Sequence, residues 1–310
     1  MINFRYHVVS LTAVFLALAI GLVVGTAALN GTFVDTLKDQ VTSLGKQNQQ
    51  YRDQVSQLEA GAGKQETFAT DSAPMLLQDR LAGRRVLVLS MPTTSAYVDD
   101  VVKMLGLAGA KVTGQIEVED KFFDPASNEG LLDLADTTVP AGLTSNSTDS
   151  DGVKTASDLL ASVLLDHNPA LPADNMPDVV AKFKEANYIE STGQPTGPAE
   201  AVVVLGAQPY IDQQADVKNK SMLTMATQFD KAGVEAVATN GATGADNLVS
   251  ELRADPNLQK TVSTVDNLAT PQGQVALALA VDEQLTLNRA GHYGLGGGAT
   301  SMLPKLVQGS

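Results

Sequence analysis

RRVLVLS (Arg84–Ser90) and AVVVLG (Ala201–Gly206) decide the fold. Each is a short, unbroken apolar run, the pattern of a parallel strand buried on both faces. The same order of elements succeeds both runs. After Ser90, the stretch 96–107 places Val98, Val101, Val102 and Leu105 on one helical face, Gly109 supplies a C-cap, and 111–117 reads as a strand. After Gly206, residues 216–231 form a helix carrying Met222, Met225 and Phe229, Ala232-Gly233 caps it, and 234–239 is the next strand. Strand, helix, glycine cap, strand thus occurs twice, as two βαβ halves of one sheet. A helix over 246–254, a strand over 261–265 and a helix over 272–287 extend the second half. The expected class is α/β, a Rossmann-like or flavodoxin-like, mostly parallel sheet flanked by helices. Phe123-Asp124-Pro125 opens a helical insertion at about 123–200, with helices at 129–135, 153–165 and 178–186 and a polar loop at 144–152.

Toward the amino terminus, Val8–Leu29 (VVSLTAVFLALAIGLVVGTAAL) is 22 residues long and carries no charge. A hydrocarbon core about 30 Å thick needs roughly 20 apolar helical residues. A retained anchor and a cleaved signal both fit such a run. Its length exceeds the usual signal core, which favours the anchor, and either one sends the remainder across the membrane. Arg5 makes 1–7 the cytoplasmic side. Beyond the anchor, Val34, Leu37, Val41, Leu44, Asn48, Tyr51, Val55 and Leu58 recur in steps of three and four. Valine at three a positions, leucine at three d positions and one Asn at a favour a parallel two-stranded coil. That face could instead pack on its own domain or receive a partner helix. Gly61-Ala62-Gly63 is expected to end the heptads, with a short separate helix at 72–81. The resulting map is 1–7 cytoplasmic, 8–29 transmembrane, 30–66 dimeric coil, 67–290 extracytoplasmic α/β domain, and 291–310 Gly-rich tail.

Composition narrows function. The net charge of −14 argues against nucleic acid and anionic lipid as partners. Having no Cys, the chain has no disulfide, thiolate metal site or Cys nucleophile. Without Trp and with 5% aromatics, it lacks the girdles of an outer-membrane barrel. His7, His167 and His292 show no metal-binding spacing. Met222 and Met225 share a helix face and could offer thioethers to Cu(I), though such pairs usually belong to a core. No GxSxG or HExxH motif occurs, so no enzyme and no catalytic residue is expected. Gly294, Gly296, Gly297 and Gly298 follow a helix and precede Pro304. A phosphate loop follows a strand and opens a helix, so a tail strand or loop packed on the domain is expected instead. The turns after Leu89 and Leu205 lie where ligands bind in open α/β sheets. Asp99 and Asp100 beside the first turn could meet an acid from elsewhere, or simply lie on a solvated helix start.

The opening FRYHVVSLTAVFLALAIGLVVGTAAL, the heptads, RRVLVLSMP and the tail HYGLGGGATSMLP together resemble the MctB family, mycobacterial copper transport protein B. That family also holds the corynebacterial cell-separation protein SteB. The resemblance runs end to end and implies two alternatives. In one, a membrane-anchored coiled-coil scaffold, a homodimer with no cofactor, works with a SteA-like membrane partner and regulates a peptidoglycan hydrolase in cell separation. In the other, members are outer-membrane pores that export copper. Continuous apolar strands interleaved with helices do not build a pore, so the scaffold is the main expectation and copper handling the alternative.

Overall fold

In the computed structural model, residues 4–30, 32–143, 150–166, 170–172, 175–242, 244 and 246–305 are described, with 28–30, 32 and 33 by backbone alone. The polar loop at 144–149, His167 and Pro169 lie outside them. The chain divides into two units, Met1–Gln65 and Glu66–Ser310.

Two helices account for the first unit. Helix α1 spans Phe4–Asn30, and α2 spans Thr32–Leu77. Phe4–Ala27 has a mean hydropathy of 2.6 and none of it is buried. At 1.5 Å per residue it is about 36 Å long, enough to cross a bilayer. The expected break at Gly61–Gly63 does not occur. The helix passes through both glycines and through Pro74 without interruption, and 72–77 is its last part rather than a separate helix. Each glycine costs only about 1 kcal/mol against alanine. In the second unit, burial of Ala69, Ala73 and Leu77 at i, i+4, i+8 offsets the hydrogen bond that Pro74 cannot donate.

The second unit is built on a sheet. Its elements run β1 (Arg85–Ser90), α3 (Val98–Leu107), β2 (Lys111–Val118), α4 (Asp120–Phe123), α5 (Asn128–Thr138), α6 (Gly152–Leu164), α7 (Asn175–Glu185), β3 (Ile189–Ser191), β4 (Ala201–Leu205), α8 (Ala215–Ala232), β5 (Val234–Ala238), α9 (Leu248–Ala254), β6 (Ser263–Val265), α10 (Pro271–Leu287) and β7 (His292–Tyr293). The strand order is β3-β2-β1-β4-β5-β6-β7, all parallel except the antiparallel pair β2·β3. The two predicted βαβ halves therefore sit back to back. One winds outward from β1, the other from β4, and the topological switch lies between them. The edge strand β3 has no counterpart among the expected elements. It has three residues, one of them the exposed Glu190.

Strand alternation distributes the core over two faces. Leu87, Leu89, Val202, Val204 and Val237 point to the layer holding α5, α6, α7, α8 and α9. Val86, Val88, Val203, Leu205, Ala236 and Ala238 point to the layer of α3, α10 and the end of α2. Helix α10 is buried nearly all round, which explains its near-continuous VALALAV sequence. It starts with Pro271 at its first turn and Thr270 Oγ1 accepting from Gly273 N at 3.2 Å.

Glu235 is the exception to this apolar logic. It lies on β5, is 0% exposed, and neither carboxylate oxygen has a hydrogen-bond partner. Burial, with Asp230 adding to it, holds its carboxyl well above the ordinary glutamate range. The folded state therefore keeps a proton that the unfolded chain releases. Stability is full below the ordinary glutamate value and falls as pH rises toward the folded value, at about 1.4 kcal/mol per pH unit in that window. Glu235→Leu should therefore raise the unfolding free energy, by about 1–3 kcal/mol at pH 8, and by less at pH 5. Chemical denaturation at the two pH values checks this, and an equal effect at both would contradict it.

Candidate functional site

Three places carry the sequence-derived expectations: the exposed face of α2, the switch point of the sheet, and the glycine-rich tail. On α2, Val34, Leu37, Val41, Leu44, Tyr51, Val55 and Leu58 are 46–73% exposed, and Asn48 is exposed too. Seven large apolar side chains in heptad register, all facing water, form a stripe that a soluble helix would ordinarily bury.

The switch point between β1 and β4 is stitched shut. Thr94 is buried, and its hydroxyl lies 2.7 Å from Met91 O and 3.1 Å from Leu205 O. Met91 N donates to Leu205 O at 2.9 Å, and Gly206 N to Ala238 O at 2.8 Å. The crevice that holds a ligand in many open sheets is occupied here by the chain itself. Beside it, a cavity of ≈ 260 Å³ opens over β1, β2 and β3. Here Asp99 does share a wall with acids from elsewhere, Glu117 and Glu190. Those two glutamates sit directly opposite each other in the β2·β3 register, an unfavourable pairing of like charges. Lys184 Nζ relieves Glu190 at 2.7 Å and holds its carboxyl below the ordinary range. Glu119 next door is pushed up by burial, then by Glu117, Glu190 and Asp120. Asp100 does not line this cavity.

The tail forms a clamp. β7 adds in parallel to β6, and the glycines after it wrap a buried ion pair. Arg253 Nη1 lies 2.8 Å from Asp266 Oδ2, with side-chain exposures of 5% and 1%. The same guanidinium donates to Thr264 Oγ1 (2.8 Å), Gly297 O (2.9 Å) and Tyr293 O (2.9 Å). Asp266 also accepts from Leu295 N at 2.6 Å and Gly296 N at 3.0 Å. Gly294 has φ +125°, and a Cβ there would stand 2.1 Å from Asp266 Oδ1. The glycines thus let backbone N–H groups reach a carboxylate. The expectation of a tail packed on the domain holds, and the anion it binds is the chain's own Asp266.

The candidate metal ligands fall elsewhere. Met222 and Met225 are 1% and 0% exposed and belong to the same core as Phe229. His292 has both ring nitrogens engaged, Nδ1 with Thr264 Oγ1 at 2.9 Å and Nε2 with Gln259 O at 3.0 Å. Burial, with Arg253 nearby, keeps its pKa below the ordinary value. His7 lies on α1, 285 positions away in sequence. Among the described residues no group of three or more His, Cys, Asp or Glu could hold a metal ion.

A family model described as "Copper transport outer membrane protein, MctB" matches residues 1–304, which includes the N-terminal apolar helix, the heptads, the sheet and the clamp. The chain belongs to the MctB family. Among its relatives, proteins named copper transporter MctB from Mycobacterium bovis and Mycobacterium tuberculosis are 30% identical over 314 residues, covering 97% of this chain and 99% of theirs. The Mycobacterium leprae protein of the same name is 30% identical over 318 residues with the same coverage. The MctB match ends within the described tail, just beyond the glycine clamp.

Proposed function

We propose that this MctB-family chain serves copper transport at the cell envelope as a membrane-anchored parallel dimer whose α/β head stands on the extracytoplasmic side, and that it is not itself the conduit. The observation that carries the copper role is the end-to-end relationship to proteins named copper transporters. The architecture supports an accessory part in it. Among the described residues there are one helix long and apolar enough to cross a membrane, a sheet covered by helices on both faces, and no metal-ligand cluster. The exposed heptad supports the dimer, and two chains anchored in one membrane run parallel, as Val at a and Leu at d prefer.

Deleting the gene should lower copper tolerance several-fold, with recovery by the wild-type chain and not by Leu44→Asp. Purified chain in planar bilayers should pass no current. Unchanged copper tolerance would remove the copper role, and a copper-dependent conductance would remove the accessory one.

A second reading is favoured by the same exposed seam. In it the dimer is a scaffold for cell separation, engaging a SteA-like membrane partner and regulating a peptidoglycan hydrolase. It predicts chained, unseparated cells on deletion with copper tolerance intact.

A further inference from the structure

A loop at the carboxyl end of β4 presents one isoleucine to water and is held rigid to do so. Ile211 is 97% exposed. A single exposed apolar side chain is ordinary on a soluble surface. The scaffolding around this one is not. On its amino side, Tyr210 is fixed at three points. Its N–H donates to Asn219 Oδ1 at 2.8 Å, its carbonyl accepts from Asn219 Nδ2 at 3.2 Å, and its hydroxyl donates to Asp120 Oδ1 at 2.6 Å. Asn219 is itself buried on α8. On the carboxyl side, Asp212 accepts from Gln214 N at 2.9 Å and from Lys218 Nζ at 2.7 Å. Further back, Gln208 Nε2 donates to Asn240 O at 2.8 Å. None of these bonds involves the Ile211 side chain. A flexible loop would lose conformational entropy on binding, and a preformed one does not. Rigid presentation of an apolar side chain is how an interface anchor is built.

The surroundings fix the chemistry of the partner. Asp120, which holds Tyr210, acts on Glu119 together with Glu117 and Glu190. Lys218 feels Asp212 first, then Asp124 and Asp120. Asp120 is common to both sets, so Glu117, Glu119 and Glu190 on one side and Asp124 and Asp212 on the other adjoin around it, with Lys184 paired to Glu190 and Lys218 to Asp212. Glu117 and Glu190 oppose each other directly in the sheet. That crowding costs stability in the free protein and is relieved by an incoming cationic surface.

We infer that the Ile211 loop and the acidic rim beside it are a docking surface for a basic protein of the envelope, with Ile211 entering an apolar pocket ringed by lysine or arginine. The surface is independent of the α2 seam and of the copper role.

Photocrosslinking in cells tests it. The full chain carries p-benzoylphenylalanine at Gln213, exposed beside the anchor residue Ile211, and a control chain carries it at Leu287, exposed at the far end of α10. Irradiation should give an adduct from position 213 and not from 287. Mass spectrometry should place the link in a Lys/Arg-rich surface of another protein. Ile211→Asp should lower adduct yield about tenfold or more, and Ile211→Ser, which changes no charge, should lower it comparably. Asp216→Lys, at the start of α8 in a cavity it lines together with Asp124 of the acidic rim, should lower it several-fold. Because Ile211 is 97% exposed, the thermal midpoints of these Ile211 variants should match wild type. An adduct with a second copy of this chain, a link into an acidic surface, no adduct, or a yield indifferent to Ile211 would each overturn the proposal.

Discussion

Asp266→Ala should lower the unfolding free energy of the α/β head by about 3–5 kcal/mol, the range for removing one partner of a buried ion pair. The geometry argues for the upper part of that range. Asp266 receives Arg253 and two backbone N–H groups, from Leu295 and Gly296. Removing it leaves a guanidinium with 5% exposure without its counter-charge, and two amides without an acceptor. The damage should concentrate in the tail, because Arg253 also holds Tyr293 O and Gly297 O. Limited proteolysis should cut the variant between 291 and 303 before any other part of the head. Asp266→Asn keeps an acceptor and should lose less, about 1–3 kcal/mol. Gly294→Val should resemble Asp266→Ala by a different route, placing its Cβ against the carboxylate at a φ that only glycine adopts with ease. A loss under about 1 kcal/mol for Asp266→Ala, read by urea denaturation of the full chain in detergent, would show that the clamp is not structural.

The second large effect is at the seam. Leu44→Asp should weaken self-association more than about 100-fold, since it sets two carboxylates face to face at a d position in the middle of the heptads. Leu44 is 63% exposed within its own chain, so the substitution removes no contact from the head. The unfolding midpoint of the head should therefore stay where it is while sedimentation moves from two copies to one. Loss of both together would mean that the face packs on the chain's own domain instead.

The parts legible in the sequence are those where one physical demand dominates. Arg85–Ser90 and Ala201–Leu205 are apolar on both sides because helices cover both faces of the sheet. The repeated βαβ order then places the switch point. The features that escape are set by contacts distant in sequence. Helix α2 runs through Gly61, Gly63 and Pro74 because its far end is buried, which local propensity does not reveal. β3 is three residues long and pairs only at the edge. The glycine cluster reads correctly as packing, but its reason, the pair Arg253–Asp266, lies about 30 to 45 positions away along the chain. The burial of Glu235, a charged residue type on a strand covered on both faces, is likewise not revealed by its local sequence. Ile211 gives no periodic signal at all, being one apolar residue in a turn-rich stretch.

In the proposed dimer two copies stand parallel in the membrane along α2. The chain contains no Cys, so single cysteines can be read without background. In a parallel coil, identical a or d positions approach closely enough for a disulfide, whereas b and f positions face outward. Oxidising membranes that hold the full chain with Val41→Cys or Leu44→Cys should give covalent dimers in high yield. Thr42→Cys and Lys46→Cys should give few. A yield that is uniform across the four positions, or absent from all of them, would contradict the account.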